Sequence, residues 1–331
     1  MVCDPLEKQY GALDIILLFF APLISLCYLL TPLNNDIRIF FGVSHLAANY
    51  FPFPQGIDLA WELKPIGNRL INFILYKIAT SFIPFFDRFA FTAIVKFLSL
   101  LVIIFVAWYF SRKVMIRYSF FLVFYSMTTL AIVCMMQAEF WAALIAILAI
   151  ALILSDSYLA NVIAGGLLVF LPLIKGITGL MIISVVCGAY LLDPRVRIKV
   201  FKVLLGMVIS CMIVIDAALT IWPNMMSDTL MSPVLAQVGM RSLFEHVAYF
   251  LMYFYLSPIC IPVLFIGFIF GAILFFARIK REPLKTRLAY ELMWIAPVII
   301  VFVTGEMFLY HYLVFVPPAI VSIILCERYS E

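Results

Sequence analysis

Long apolar runs separated by short polar turns dominate this chain. Windows such as 12–30 and 142–154 lack the regular alternation of polar and apolar residues that a β-barrel with a polar lumen requires. An apolar run of about 20 residues crosses a bilayer as a helix, because every backbone polar group is then paired within the segment. The pattern therefore predicts an all-α, polytopic transmembrane helical bundle that forms a single integral membrane domain over residues 1–331.

About ten spans fit the apolar pattern. They are predicted near 12–31, 88–110, 118–136, 139–155, 158–174, 176–192, 200–222, 247–277, 289–304 and 307–325. Basic residues lie in every second loop, at 111–117, 193–199 and 277–287, so these loops and both termini are expected in the cytoplasm. We expect small residues such as the Ala-Gly-Gly at 164–166 to pack the helices together.

Composition strengthens this interpretation. The chain is 66% hydrophobic and 12% charged, with a mean hydropathy of +1.16, far from the values of a soluble domain. Its net charge of +4 comes from bases confined to a few loops, so it indicates topology and no nucleic-acid partner. Short loops and a compact chain favour a multi-pass protein of a prokaryotic plasma membrane, although an endoplasmic reticulum would fit the same pattern.

The first external loop, 32–87, is expected to be structured. Residues 34–51 and 67–82 each place apolar positions at helical spacing, and the Pro-rich segment FPFPQG separates them. Two such helices should lie along the outer membrane surface. The other external segments are 135–139, the turn at Lys175, 223–246 and 305–306, so most conspicuous polar residues fall on the outer side.

A polar corner and a lone lysine bracket the central apolar hairpin at 137–180. Gln137 opens the hairpin and Lys175 closes it, so both should emerge on the outer side. A lysine at a membrane boundary is costly unless it snorkels or is paired. Lys175 is therefore either an interfacial anchor or a ligand for an anion.

Three motifs of the chain together resemble a known family. They are the Gln-Ala corner followed by LANVIAGGLL and LIKG, the acidic Asp36 in NNDIRIFFGVSHLA after the first span, and FLYHYLVFVPPAIVSIIL at the carboxy-terminal end. The chain is similar to the polyprenyl-phosphate-sugar-dependent glycosyltransferases of the GT-C class, in particular the mannosyltransferase-like branch. The resemblance implies a GT-C-like fold, an extracytoplasmic active site, a polyprenyl-phosphate sugar donor, a lipid- or glycan-linked acceptor and inversion at the anomeric carbon.

The implied chemistry needs a base for the acceptor proton and cationic support for the departing phosphate. Asp36 is the expected general base, although a carboxylate at a helix start can also be a simple cap. Lys175 is the first candidate for the phosphate. The further candidates for binding phosphate or substrate are Gln137, Lys64, Arg69, Arg241 and His311.

Glu62 and Glu139 are the remaining external acids. Either could act as a second base, orient the sugar or bind a divalent cation, but their spacing selects no metal, so no cofactor is assigned. The stretch DLAWELKPIGNR at 58–69 is expected to form part of the rim over the reaction cavity, or else a loop ion pair beside an interfacial Trp61.

Two other classes remain open. A lipid or glycan flippase or secondary transporter would share the helices, and Asp14, Lys96 and Asp216 are the main charges inside predicted spans. A non-catalytic subunit of a glycan-assembly complex would also look like this chain, since the Gly-Gln usual at the central corner of the family is Met136-Gln137 here.

Overall fold

The computed structural model describes residues 66–82, 88–113, 137–176 and 199–221, together with isolated positions elsewhere that include Leu29, Gly42 and His45. Within these ranges the chain is all helical and contains no strand. The helices are α1 (Ile66–Phe82), α2 (Arg88–Lys113), α3 (Ala138–Leu154), α4 (Tyr158–Lys175) and α5 (Val200–Ile221).

Helices α3 and α4 form a tight antiparallel hairpin. Gln137 precedes α3 in extended conformation, and its carbonyl accepts hydrogen bonds from the amides of Phe140 and Trp141. At the turn, the Ser157 hydroxyl accepts from the Ala160 amide and so caps the start of α4. Gly176 follows the last residue of α4, and its φ of 57° suits a residue without a Cβ.

The turn between α3 and α4 is closed by a lysine that precedes α5. Lys199 Nζ donates to the carbonyls of Ile153, Leu154 and Ser155 at 3.0–3.4 Å, and it pairs with Asp156 at 2.9 Å. The last carbonyls of a helix have no partner within the helix, and the helix dipole makes that end negative. Lys199 supplies hydrogen-bond donors for these carbonyls and a positive charge at the negative helix end. It thereby fixes the start of α5 at the turn.

Helix α5 lies beside α4 in parallel orientation. The backbone of Gly165 faces the Val203 carbonyl, Gly206 faces the Val162 carbonyl and Gly166 faces the Ser210 side chain. Lys199 holds the start of α5 at the turn where α4 also begins, so the two helices run in the same direction. The glycines allow the two backbones to touch, which is how small residues join membrane helices. The small residues predicted to pack helices at 164–166 lie at this contact.

A parallel pair requires the chain to come back between the two helices. Helix α4 has 18 residues and is about 27 Å long. Lys175 lies at one end of the hairpin and Lys199 at the other, so the residues between them must return over this distance. The predicted span at 176–192 would do so, but apart from Gly176 and Gly179 it lies outside the described residues.

Helix α1 packs against α2 and against the final turn of α4. Its buried face carries Asn68, Asn72 and Tyr76, whereas Leu70 and Ile74 are about half exposed. The two asparagines therefore face inward, whereas these large aliphatic side chains face outward. Tyr76 also shares a hydrogen bond of 2.7 Å with His45, which joins α1 to the other predicted helix of the first external loop.

Two of the five helices are long and apolar enough to cross a membrane, over Tyr158–Lys175 and Val200–Ala217. Shorter apolar stretches occur at Leu70–Phe82, Thr92–Trp108 and Ala138–Leu154. The predicted spans at 88–110, 139–155, 158–174 and 200–222 match helices α2 to α5 closely. The other six predicted spans lie largely outside the described residues.

Candidate functional site

A buried ion pair closes the end of the hairpin opposite its turn. Glu139 lies in the first turn of α3 and Lys175 is the last residue of α4. Lys175 Nζ is 2.5 Å from Glu139 Oε1, and the side chains are only 4% and 1% exposed. Because α3 and α4 are antiparallel and nearly equal in length, their opposite ends bring the two charges together.

The helix ends favour this arrangement of charges. The amino-terminal end of α3 is partly positive and holds the carboxylate, while the carboxy-terminal end of α4 is partly negative and holds the ammonium. Burial removes water from both charges, so each depends on the other to offset its lost hydration. Gln137, which is fully buried, adds an amide to the same end of the hairpin.

The pair changes what Lys175 can do with an anion. An ammonium group has three donors, so Lys175 can hold Glu139 and still donate to a phosphate oxygen. The approaching phosphate also meets the Glu139 carboxylate, so binding needs further cationic or hydrogen-bonding groups or a shift of Lys175 away from Glu139. The prediction from sequence that Lys175 binds an anion did not include its ion pair with Glu139.

The amino-terminal turn of α1 lies against the end of α4. A Cβ built on Gly67 would be 2.7 Å from the Leu173 carbonyl oxygen and 2.9 Å from a side-chain carbon of Ile174, so glycine permits this close approach. Asn68 follows directly and is 0% exposed, and Asn72 is 1% exposed one turn further along the same face. Their amides have no hydrogen-bond partner in the part of the chain that the structure describes.

The first turn of α3 also contains a buried tryptophan. Trp141 is 6% exposed and meets the ring of Phe140 edge to face at a centroid distance of 5.0 Å. Its indole Nε1 is without a hydrogen-bond partner among the described residues. A buried N–H in this condition is destabilising unless a ligand or water accepts from it.

A second buried cation lies in α2. Lys96 is 4% exposed, and its Nζ donates to the Leu29 carbonyl at 3.4 Å. Thr92 and Ser99 are buried on the same side of α2, and the Ser99 hydroxyl donates to the Val95 carbonyl. This polar stripe faces the predicted first span and lies apart in sequence from the hairpin residues.

The structure brings Gln137, Glu139 and Lys175 to one end of the hairpin and leaves the other predicted site residues untested. Five of them lie outside the described residues: Asp36, Glu62, Lys64, Arg241 and His311. Arg69 belongs to α1, but its side chain is not described. Among the described residues, no group of three His, Cys, Asp or Glu side chains could hold a metal ion.

Sequence reasoning named Glu139 and Lys175 separately and missed their contact. Both residues are equally far in sequence from Ser157, where the hairpin turns. A hairpin with two arms of equal length would therefore place them opposite each other, so their contact could have been predicted. Asn72 and Trp141 were not selected at all. The spacing of Asn68 and Asn72 on an otherwise apolar helix was the available signal, because residues four apart share a helix face.

No protein-family model, curated protein or solved structure matches this chain. Its function is therefore inferred from its own residues and from the resemblance of its motifs.

Proposed function

We propose that this chain is an inverting membrane glycosyltransferase. It would move a hexose, by resemblance mannose, from a polyprenyl-phosphate donor to a lipid- or glycan-linked acceptor on the extracytoplasmic side. The observation that carries the proposal is the buried Glu139–Lys175 pair with Gln137 beside it, at one end of an apolar hairpin. Buried charges at the end of such a hairpin are expensive, so they favour a functional site.

The proposed enzyme is a multi-pass protein of about ten spans in a plasma membrane, and two features support a membrane location. Helices α4 and α5 are long and apolar enough to cross. Large apolar side chains of α5, including Phe201, Val208 and Met212, are more than half exposed, as expected for a surface in contact with lipid or with other spans. The basic loop ending at Lys199 would lie in the cytoplasm, so the Glu139–Lys175 end would face outward.

In the proposed reaction an acceptor hydroxyl oxygen attacks the anomeric carbon of the donor. The bond between that carbon and the phosphate oxygen breaks, and the polyprenyl phosphate leaves with the bonding electrons. Asp36 would take the acceptor proton as general base, with Glu62 or Glu139 as the alternative. Lys175 would hold the phosphate with help from Gln137.

The cations Lys64, Arg69 and Arg241 are the proposed additional ligands of the phosphate, because the Glu139 carboxylate offsets part of the charge of Lys175. His311 would donate to the phosphate or to a sugar hydroxyl. No metal is assigned.

The test is sugar transfer in membranes that contain the full chain, supplied with labelled polyprenyl-phosphate mannose or glucose and cell-envelope lipid acceptors. Asp36→Asn and Lys175→Met should each abolish transfer at equal protein level, while Lys77→Met, at an exposed lysine of α1, should leave it unchanged. Transfer by Asp36→Asn would move the base to Glu62 or Glu139. Absence of transfer by the wild type with both donors would overturn the proposal.

The burial of Lys96 favours a second candidate, a flippase or secondary transporter. Ionisable residues inside a membrane span commonly mark the path of a transported ion or substrate. Under that function, Lys96→Met should stop movement of the substrate across the membrane, and Asp36→Asn should not. A non-catalytic subunit would show neither transfer nor transport by itself.

A further inference from the structure

We infer that Asn68 and Asn72 form the subsite that recognises the hydroxyl groups of the transferred sugar. This inference rests on the proposed function. It adds the residues that would distinguish a glycosylated lipid from a bare polyprenyl phosphate. Lys175 and Gln137 would bind the phosphate that both lipids share.

Burial without partners is the first argument. Asn68 and Asn72 are 0% and 1% exposed, and the oxygen and nitrogen of each amide are without hydrogen-bond partners in the described structure. Such groups are destabilising, because they have lost water and gained nothing in exchange. A protein retains such groups where a ligand, an ion or a bound water supplies the missing partners, or where they serve a function.

Chemical type is the second argument. Each amide offers an acceptor oxygen and two donor hydrogens on the nitrogen that is bonded to the same carbon. A sugar hydroxyl both donates and accepts, so it can satisfy both parts of an amide, whereas a phosphate only accepts and would leave the amide oxygen unsatisfied. Two amides four residues apart on one helix face are close enough to reach neighbouring hydroxyls on a single ring.

Position is the third argument. Gly67 brings the first turn of α1 into contact with Leu173 and Ile174, which directly precede Lys175. Asn68 belongs to this turn, and Asn72 lies one turn further along α1. In the donor, the sugar is bonded directly to the phosphate. A sugar subsite must therefore lie next to the phosphate ligand, and the first turn of α1 lies against the residues that precede Lys175.

The experiment measures binding of three lipids to the full chain in nanodiscs: polyprenyl phosphate, its mannosyl derivative and its glucosyl derivative. Wild type should bind at least one glycosylated lipid about tenfold more tightly than the bare phosphate. Asn68→Leu and Asn72→Leu should remove most of this preference without changing affinity for the bare phosphate. Lys175→Met should weaken binding of all three.

Thermal unfolding supplies a readout that is independent of the sugar. Asn161 is also a buried asparagine, but its Nδ2 donates to the carbonyls of Ser155 and Ser157. Asn161→Leu should therefore lower the Tm, whereas Asn68→Leu and Asn72→Leu should leave it unchanged or raise it. A comparable fall in Tm for all three variants would mean that Asn68 and Asn72 are structural, and would overturn the subsite.

Deoxy-sugar donors test the subsite in the unaltered protein. Removal of a contacted hydroxyl should weaken wild-type binding roughly three- to tenfold and have no effect in the matching asparagine variant. If both leucine variants keep the wild-type preference, the subsite is wrong although transfer can still stand. If wild type neither transfers sugar nor binds any of the three lipids, the proposed function fails and the subsite fails with it.

Discussion

Glu139 and Lys175 come from opposite ends of two antiparallel helices and neutralise each other inside the protein, with Nζ and Oε1 2.5 Å apart. The pair has two separable consequences. It holds the open ends of α3 and α4 together, and it places an ammonium group where the proposed donor phosphate would bind. Variants that remove one charge or both can distinguish these roles.

Removal of one partner should destabilise the hairpin strongly. Lys175→Met or Glu139→Leu leaves a buried charge without its counter-charge, which costs about 3–5 kcal/mol. The double variant removes both charges and should recover to within about 1 kcal/mol of wild type. Unfolding followed by circular dichroism in detergent measures this, and additive losses in the double variant would show that the pair is not coupled.

The same double variant tests the proposed function at native stability. If Lys175 binds the donor phosphate, the stable double variant should remain inactive in sugar transfer. Recovery of transfer along with stability would restrict the pair to a structural role.

The contact between α4 and α5 predicts an unusual effect of alanine. Glycine to alanine normally stabilises a helix interior by about 1 kcal/mol. In Gly165→Ala the new Cβ would meet the Val203 backbone carbonyl, so the change should instead cost about 1–3 kcal/mol. Gly42→Ala is the control, because no atom lies within 4 Å of its added Cβ. Equal shifts in Tm for the two variants would refute this close approach.

Loss of Lys199 should loosen the turn of the hairpin. Lys199→Met removes the donor to three carbonyls at the end of α3. The free energy of unfolding should fall by about 1–2 kcal/mol. Faster amide exchange in the segment 155–161 should accompany it. Asp156→Asn should have no measurable effect on either quantity, because the Asp156 side chain is fully exposed to water. Equal effects of the two variants would assign the stabilisation to the surface ion pair.

Tyr76→Phe should destabilise the protein in a pH-dependent manner. The variant loses the hydrogen bond to His45, at a cost of about 1 kcal/mol near neutral pH. Burial raises the pKa of Tyr76, so above the ordinary tyrosine pKa the unfolded chain ionises first and wild type loses stability. The difference in free energy of unfolding between wild type and variant should therefore keep its neutral-pH value up to pH about 10 and become smaller above it.

Urea unfolding at several pH values measures that gap, with Tyr158→Phe at an exposed tyrosine as the control. A gap that stays constant or widens at high pH would contradict the assigned burial of the Tyr76 hydroxyl.

The extent of each helix was predictable from sequence where apolar runs end in recognisable signals. Ser155, Asp156 and Ser157 mark the hairpin turn, and Ser157 acts as a cap there as such residues commonly do. Long-range partners were not predictable in the same way. Lys199 belongs to a basic loop that the sequence pattern assigns to the cytoplasmic side. No neighbouring residue indicates that its side chain contacts the end of α3.

The candidate site shows the same division. Polarity in an apolar chain was enough to select Gln137, Glu139 and Lys175, but only the packing of the hairpin reveals the ion pair. The burial of Asn68 and Asn72 depends on how α1 lies against its neighbours, which the pattern of a single helix does not determine. The role expected of Asp36 depends on residues outside the described part of the chain.

Lys199 also sets an order for assembly during synthesis. When the ribosome has completed α4, the carbonyls at the end of α3 and the groove at Gly165 are both still uncovered, since their partners lie further along the chain. Until Lys199 and Val203 emerge, those carbonyls must take their hydrogen bonds from water or lipid head groups. When α5 packs against the hairpin, Lys199 covers the turn and Val203 covers the groove at the same time. The hairpin therefore reaches its final structure only after α5 has been synthesised.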